Sequence, residues 1–314
     1  MGTQHRARQP RSIVSSGART NRNCCTMTTN RVLDFEVWGA PLKNAESVVL
    51  GIHGITANRY AMHRLARSLP PHISYLAPDL RGRGRSSDAG PPYGIRQHVK
   101  DLTALMDYLD CGMVDVIGHS MGAFVGSMLS CAHPDRVKSL TMVDGGIPLP
   151  VPDGADPDLV LTRALGPTLA RLDEQFQDFD DYLKFWAAHP AMAEVDQEYL
   201  LAYSRHDVIP DIHPLRSAAN REAVFTDGRE LMIDEEVRSA SSRAPVTTAV
   251  FRAARGMLNE ETPRITRVMA DQWLSTRSEA TCVEVADCNH FSILANPSAI
   301  NVVIGRWHDY PKNP

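Results

Sequence analysis

Gly118-His119-Ser120-Met121-Gly122 fits the pattern G-x-S-x-G. It lies between a short apolar run at residues 114–117 and a helical pattern over 122–132. A sharp strand-to-helix turn forces its central residue into a strained backbone, and side chains at Gly118 and Gly122 would clash there. Such a turn lifts a serine hydroxyl above the sheet edge and aims a helix N-terminus at any oxyanion that develops. The chemistry is nucleophilic acyl transfer, which needs a base. His290, in Cys288-Asn289-His290-Phe291, follows the last predicted strand, on a loop expected to be flexible enough to move a proton both ways. Of the 12 histidines, its position sets it apart; His72, His98, His133 and His308 read as surface residues.

The elements that must position these groups alternate. Strands are predicted over residues 32–37, 47–52, 73–77, 114–117, 137–143, 246–251 and 282–285. Helices are predicted over 95–109, 122–132, 263–274 and 297–307. This rhythm implies a mostly parallel sheet of about seven strands covered on both faces. It stops for roughly a hundred residues, beyond any ordinary loop. Residues 147–243 are helical in pattern, with candidates at 158–172, 179–188 and 194–203. Because the sheet resumes afterwards, they read as an inserted cap on a core of residues 31–146 and 244–314.

The 314 residues are 43% hydrophobic, with net charge −4 and pI near 6.3, which disfavours nucleic acid as a partner. Residues 1–30 hold five arginines and no acidic residue, and without them the charge falls to −9. Their polar composition implies disorder, with folded sequence starting just after Met27. No stretch of 18 apolar residues exists, so no membrane span is expected. The six cysteines (24, 25, 111, 131, 282 and 288) show no zinc-site spacing. Free thiols, the last four buried, in a reducing cytoplasm are the expectation.

Together with residues 79–86 (DLRGRGRS), the His53-Gly54 pair, the GHSMG turn and the NHF segment resemble the α/β-hydrolase superfamily over residues 31–310. The resemblance implies the α/β-hydrolase fold and enzymes such as esterases, lipases, thioesterases and C–C bond hydrolases. It implies oxyanion amides at Ile55 and Met121, with His53 and Gly54 shaping the loop between strand and site. It makes Asp79, Arg81 and Ser86 structural. Epoxide hydrolases and dehalogenases are disfavoured, since they carry aspartate where Ser120 stands.

Most relatives place the triad acid after the strand that precedes the last. Gly256 occupies that position here. A minority place it one strand earlier, which points to Asp144, at the sheet edge directly after residues 137–143. Glu260 and Asp287 are the alternatives. The expected function is hydrolysis of a carboxylic ester with a small or medium apolar acyl group. The expected partners are that substrate and water, with no cofactor or metal, in a monomer or homodimer. C–C hydrolysis of a ring-cleavage diketone and ligand reception without turnover are the competing readings.

Overall fold

The apolar runs around the GHSMG turn become the middle of a sheet. In the computed structural model, which describes residues 33–308, seven strands form: β1 (Phe35–Gly39), β2 (Ser47–Ile52), β3 (Ile73–Pro78), β4 (Val114–His119), β5 (Val137–Val143), β6 (Thr247–Ala253) and β7 (Thr281–Val285). Their order is β1-β3-β2-β4-β5-β6-β7, with only β1 antiparallel to its neighbour. Every residue of β3 and β4 is buried, because helices cover both faces; such strands read as continuous apolar runs. Leu50, Ile52, Ile117 and Leu140 are wholly buried, and each contributes about 1.5–3 kcal/mol of hydrophobic stabilisation.

Core helices α1 (His63–Ser68), α2 (Ile95–Tyr108) and α3 (Met121–Ala132) precede β5. Six helices lie between β5 and β6: α4 (Pro157–Leu165), α5 (Pro167–Ala170), α6 (Phe179–Ala188), α7 (Gln197–Asp207), α8 (Arg221–Ile233) and α9 (Glu235–Arg243). Then α10 (Arg267–Thr276) and α11 (Pro297–His308) complete the core. The helix expected over 158–172 is broken. Gly166 takes φ +49° and Pro167 cannot donate a backbone hydrogen bond, so the chain turns after Leu165. Two other boundaries move to capping residues: α7 starts after Asp196, whose carboxylate accepts the Tyr199 amide, and α10 starts after Thr266, whose hydroxyl accepts that of Met269.

After β2 the chain crosses to β3 on one side, and after β4 to β5 on the other. The crevice outside the carboxyl ends of β2 and β4 is therefore a topological switch point, where open α/β sheets bind ligands. His53-Gly54-Ile55 leaves one strand there and Ser120 the other.

Residues 79–86 form the ledge on which the insertion rests. Asp79, wholly buried, accepts the amides of Arg59 and Arg85 at 2.9 Å each and pairs with His206 of α7 at 2.7 Å. Arg83 pairs with Asp227 of α8 at 2.6 Å, both side chains fully buried. The Gly82 carbonyl accepts the Asn220 amide at 2.7 Å, and Arg85 donates to the Val208 carbonyl at 3.0 Å. His98, expected at the surface, is wholly buried, because α2 presents it to Asp227 at 2.9 Å. Cys111, Cys131, Cys282 and Cys288 are free; the first and last are buried and the other two half-buried, short of the burial expected for all four. Among the described residues no helix is long and apolar enough to cross a membrane. The polar N-terminal segment, Cys24, Cys25 and the first strand residue expected, Val32, lie outside the described residues.

Candidate active site

Ser120 occupies the bend between β4 and α3 with φ +55° and ψ −119°, a region non-glycine residues rarely adopt. Its amide donates to the Val143 carbonyl at 3.0 Å, which pins the bend to β5. Gly122 is required by contact: a Cβ there would lie 2.0 Å from the Ile52 carbonyl oxygen. The close approach of α3 to β2 sets the height of the serine above the sheet. Met121 is the first residue of α3, so its amide has no intrahelical acceptor. Ile55 borders the same space, and among the described residues its amide donates to no backbone carbonyl. The Ile55 carbonyl is held by Arg83 Nε at 3.0 Å. His53 shapes this loop through both ring nitrogens: Nδ1–H donates to the Gly54 carbonyl at 2.8 Å, and Nε2 accepts the Leu80 amide at 3.0 Å. Burial keeps the ring neutral, with its pKa lowered to about 4.

Asp144 follows β5 directly and is also bent, at φ +43°. Its amide donates to Phe251 of β6 at 2.7 Å, and Oδ1 accepts the Ala253 amide at 3.0 Å. Oδ2 accepts from His290 Nδ1 at 2.5 Å. Burial alone would raise the carboxyl, but the His290 hydrogen bond and nearby positive charge hold it below its ordinary value, so it is ionised. Neither alternative acid comes near. Glu260 is exposed and turns back to accept the Leu258 amide, and Asp287 is exposed on a tight turn at φ +53°. Gly256, where most relatives carry the acid, donates its amide to the Glu260 carbonyl in the turn that follows β6.

The loop carrying His290 is tied down rather than loose. Asn289, buried, accepts the amides of Phe291 and Ser292 at 2.9 Å each and donates to the Ala191 carbonyl of the insertion at 3.0 Å. His119 donates from Nε2 to the His290 carbonyl at 2.8 Å, with the two rings 4.5 Å apart. His119 carried no sequence signal, since the x positions of G-x-S-x-G accept most side chains.

Sequence reasoning also missed Arg264. Its Nη1 lies 2.9 Å from His290 Nε2 and 3.3 Å from Nδ1. A donor aligned with the Nε2 lone pair would be far from Nδ1, so the near-equal distances set the guanidinium over the imidazole face. Ser120 and His290 border one cleft but share no hydrogen bond, a looseness common in sites without substrate. Burial first, and then the Arg264 charge, hold His290 below its ordinary value.

Two clefts meet at Ser120, both bordered by Ile55, Leu165 and Met257. One, of about 470 Å³, runs past His290 towards Met192 and Tyr199. The other, of about 710 Å³, lies between Phe124, Leu149, Val160, Leu161 and Leu231, and Arg264 also borders it. Of the insertion's buried apolar side chains, Leu161, Leu165 and Met192 border these clefts, whereas Leu169, Phe176 and Trp186 do not.

A model of the alpha/beta hydrolase fold family matches residues 47–297. The chain belongs to the α/β-hydrolase family. This α/β hydrolase is 45% identical to Lipase LipV of Mycobacterium tuberculosis over 101 residues, 32% of this chain and 38% of that protein. It is 34% identical to a putative carbamate hydrolase, RutD, of Caulobacter segnis over 125 residues, 38% of this chain and 46% of the relative. The chain thus spans less than half the length of these curated relatives. Among solved structures, E-2-(acetamidomethylene)succinate hydrolase superposes with a TM-score of 0.70 at 20% identity, covering 88% of this chain and 95% of that one. At that identity the likeness concerns the fold alone.

Proposed function

We propose that this α/β hydrolase cleaves a carboxylic ester through an acyl-enzyme on Ser120. The observation that carries the reading is the 2.5 Å contact of Asp144 with His290, whose ring borders the cleft of the strained Ser120. In the first step His290 Nε2 takes the Ser120 proton while Oγ attacks the carbonyl, and the Ile55 and Met121 amides receive the oxyanion. The imidazolium then protonates the leaving alcohol. Water, deprotonated by His290, hydrolyses the acyl-enzyme and restores Ser120. Asp144 keeps the proton on Nδ1 and stabilises the imidazolium.

Residues 147–243 act as the cap, on a core of 31–146 and 244–314, and the cleft under α4 and α8 takes a small or medium apolar acyl group. The printed name of the Caulobacter relative makes a carbamate, attacked by the same chemistry, the second class to assay.

The test is hydrolysis of p-nitrophenyl esters from acetate to palmitate, with an aryl carbamate alongside, by wild type, Ser120→Ala and Asp144→Asn. Activity with an optimum at short or medium chains is expected, abolished in Ser120→Ala and reduced by about 10⁴ in kcat in Asp144→Asn. Undiminished turnover by Ser120→Ala would overturn the assignment. Turnover of ring-cleavage diketones but not esters would favour the C–C hydrolase reading, and tight ligand binding without turnover the receptor reading.

A further inference from the structure

Arg264 is a cation placed where the reaction would least tolerate one. Its Nη1 lies 2.9 Å from the His290 nitrogen that must accept a proton from Ser120. A fixed positive charge there opposes formation of the imidazolium, at Coulombic strength greatest in a cleft shielded from water. The nearest offsetting charge, Asp144, is engaged by the opposite nitrogen of the same ring and by the Ala253 amide. Glu260, the other carboxylate whose charge reaches Arg264, is exposed and accepts the Leu258 amide. Among the described residues Arg264 forms no ion pair, although Arg59, Arg64, Arg81, Arg83, Arg171, Arg252, Arg255 and Arg277 each have a carboxylate partner. Arg238, the other guanidinium bordering the larger cleft, is satisfied by the Leu149, Leu231 and Met232 carbonyls.

A half-buried guanidinium with an imidazole for company, bordering a mostly apolar cleft that Ser120 also borders, is a receptor for an anion. We propose that Arg264 is a specificity-determining residue that binds a carboxylate carried by the substrate close to the scissile ester. The substrate is then a short half-ester or acyloxy acid, with its apolar part in the cleft between Phe124 and Leu161. This rests on the esterase reading and names the substrate class within it. The carboxylate draws Arg264 off the imidazole face and neutralises it, so Nε2 accepts the Ser120 proton without an opposing charge beside it. Binding the correct anion and arming the base are one event. A neutral ester leaves Arg264 on the ring. Because Arg264 lies beside the reacting groups, the carboxylate stands within two or three carbons of the scissile carbonyl.

The experiment compares two pairs by pH-stat: monobutyl succinate with butyl 4-methylpentanoate, and O-butanoyl glycolate with isobutyl butanoate. Each pair differs by a carboxylate against an isopropyl group, on the acyl side in the first and the alcohol side in the second. Wild type is expected to favour the anion at least tenfold in kcat/KM in one pair. Arg264→Gln should bring that ratio to about one, with the half-ester losing its advantage over the neutral ester. Arg264→Lys, which keeps the charge but not the fork, should fall between, and it serves if the glutamine variant does not fold. No anion preference in either pair, or a preference unaltered in Arg264→Gln, overturns the proposal. Titration calorimetry on Ser120→Ala separates this from the esterase reading. Tighter binding of the anionic member, lost in Ser120→Ala/Arg264→Gln, supports the Arg264 role even if wild type turns over neither ester. Equal binding of both members counts against it whatever the turnover.

Discussion

The His119 Nε2–H donates to the carbonyl oxygen of His290 across 2.8 Å, with the two rings 4.5 Å apart and 35° from coplanar. The residue beside the proposed nucleophile thus holds the backbone of the proposed base. His119 can do this at any ordinary pH, because burial keeps its pKa well below the usual histidine value and the ring neutral. Seated at the end of β4, it transmits the rigidity of the sheet to a loop that leaves from β7.

Removing that donor should misplace His290 without altering the clefts. His119→Ala is expected to lower kcat by about 10–100-fold with KM little changed, since a misplacement near 1 Å can cost on the order of 10²-fold. His119→Gln, which keeps a side-chain donor, should recover part of the loss. Steady-state kinetics on a p-nitrophenyl ester, with the kcat and KM effects separated, makes the check. A rise in KM at constant kcat would assign His119 to substrate binding instead.

The pH profile follows from the groups facing His290. Burial and then Arg264 depress its pKa below 6.5, Asp144 pulls the other way, and His119 faces it uncharged. The base acts unprotonated, so log kcat/KM should rise with pH, bend at a midpoint below 6.5 and stay flat towards pH 8. Arg264→Gln removes one depressing charge, so its midpoint should move upward. A wild-type midpoint above 6.5 would contradict this electrostatic picture.

Stability should depend heavily on the buried Arg83–Asp227 pair. Asp227 also accepts the Gly94 amide at 2.9 Å and faces His98. Asp227→Ala leaves the Arg83 charge buried and unpaired, and a loss of about 3–5 kcal/mol is expected in urea denaturation. Replacing both partners, as Arg83→Met/Asp227→Leu, should return much of that loss. A double-mutant cycle without coupling would show that water reaches Arg83.

The sheet was legible because its central strands are buried on both faces and their apolar runs stand out against turn residues. Ser120 and His290 were legible because strand ends in such a sheet converge on one edge. Asp144 could be reached by asking which strand end carries a carboxylate once Gly256 had removed the usual place. The rest depended on contacts that no periodicity encodes. His98 was misread because polar residues on a helix suggest water, whereas an aspartate more than a hundred residues away meets it in the interior. Arg264 stood in a segment with no motif, and its importance comes only from what it touches. The break at Gly166-Pro167 was visible in the residue types but was outweighed by the leucine spacing on either side.

The contacts of residues 79–86 have a consequence for exchanging parts between proteins. His206 hydrogen-bonds Asp79 and Asp227 pairs with Arg83, and both partners belong to the insertion. A chimaera that received a foreign set of helices between β5 and β6 would inherit the buried Arg83 charge without a counterpart and Asp79 with only its core partner Arg59, and no improvement in the graft's own packing would remove that penalty. Loop and insertion are therefore a single unit of inheritance, although two strands and two helices of the core separate them along the chain.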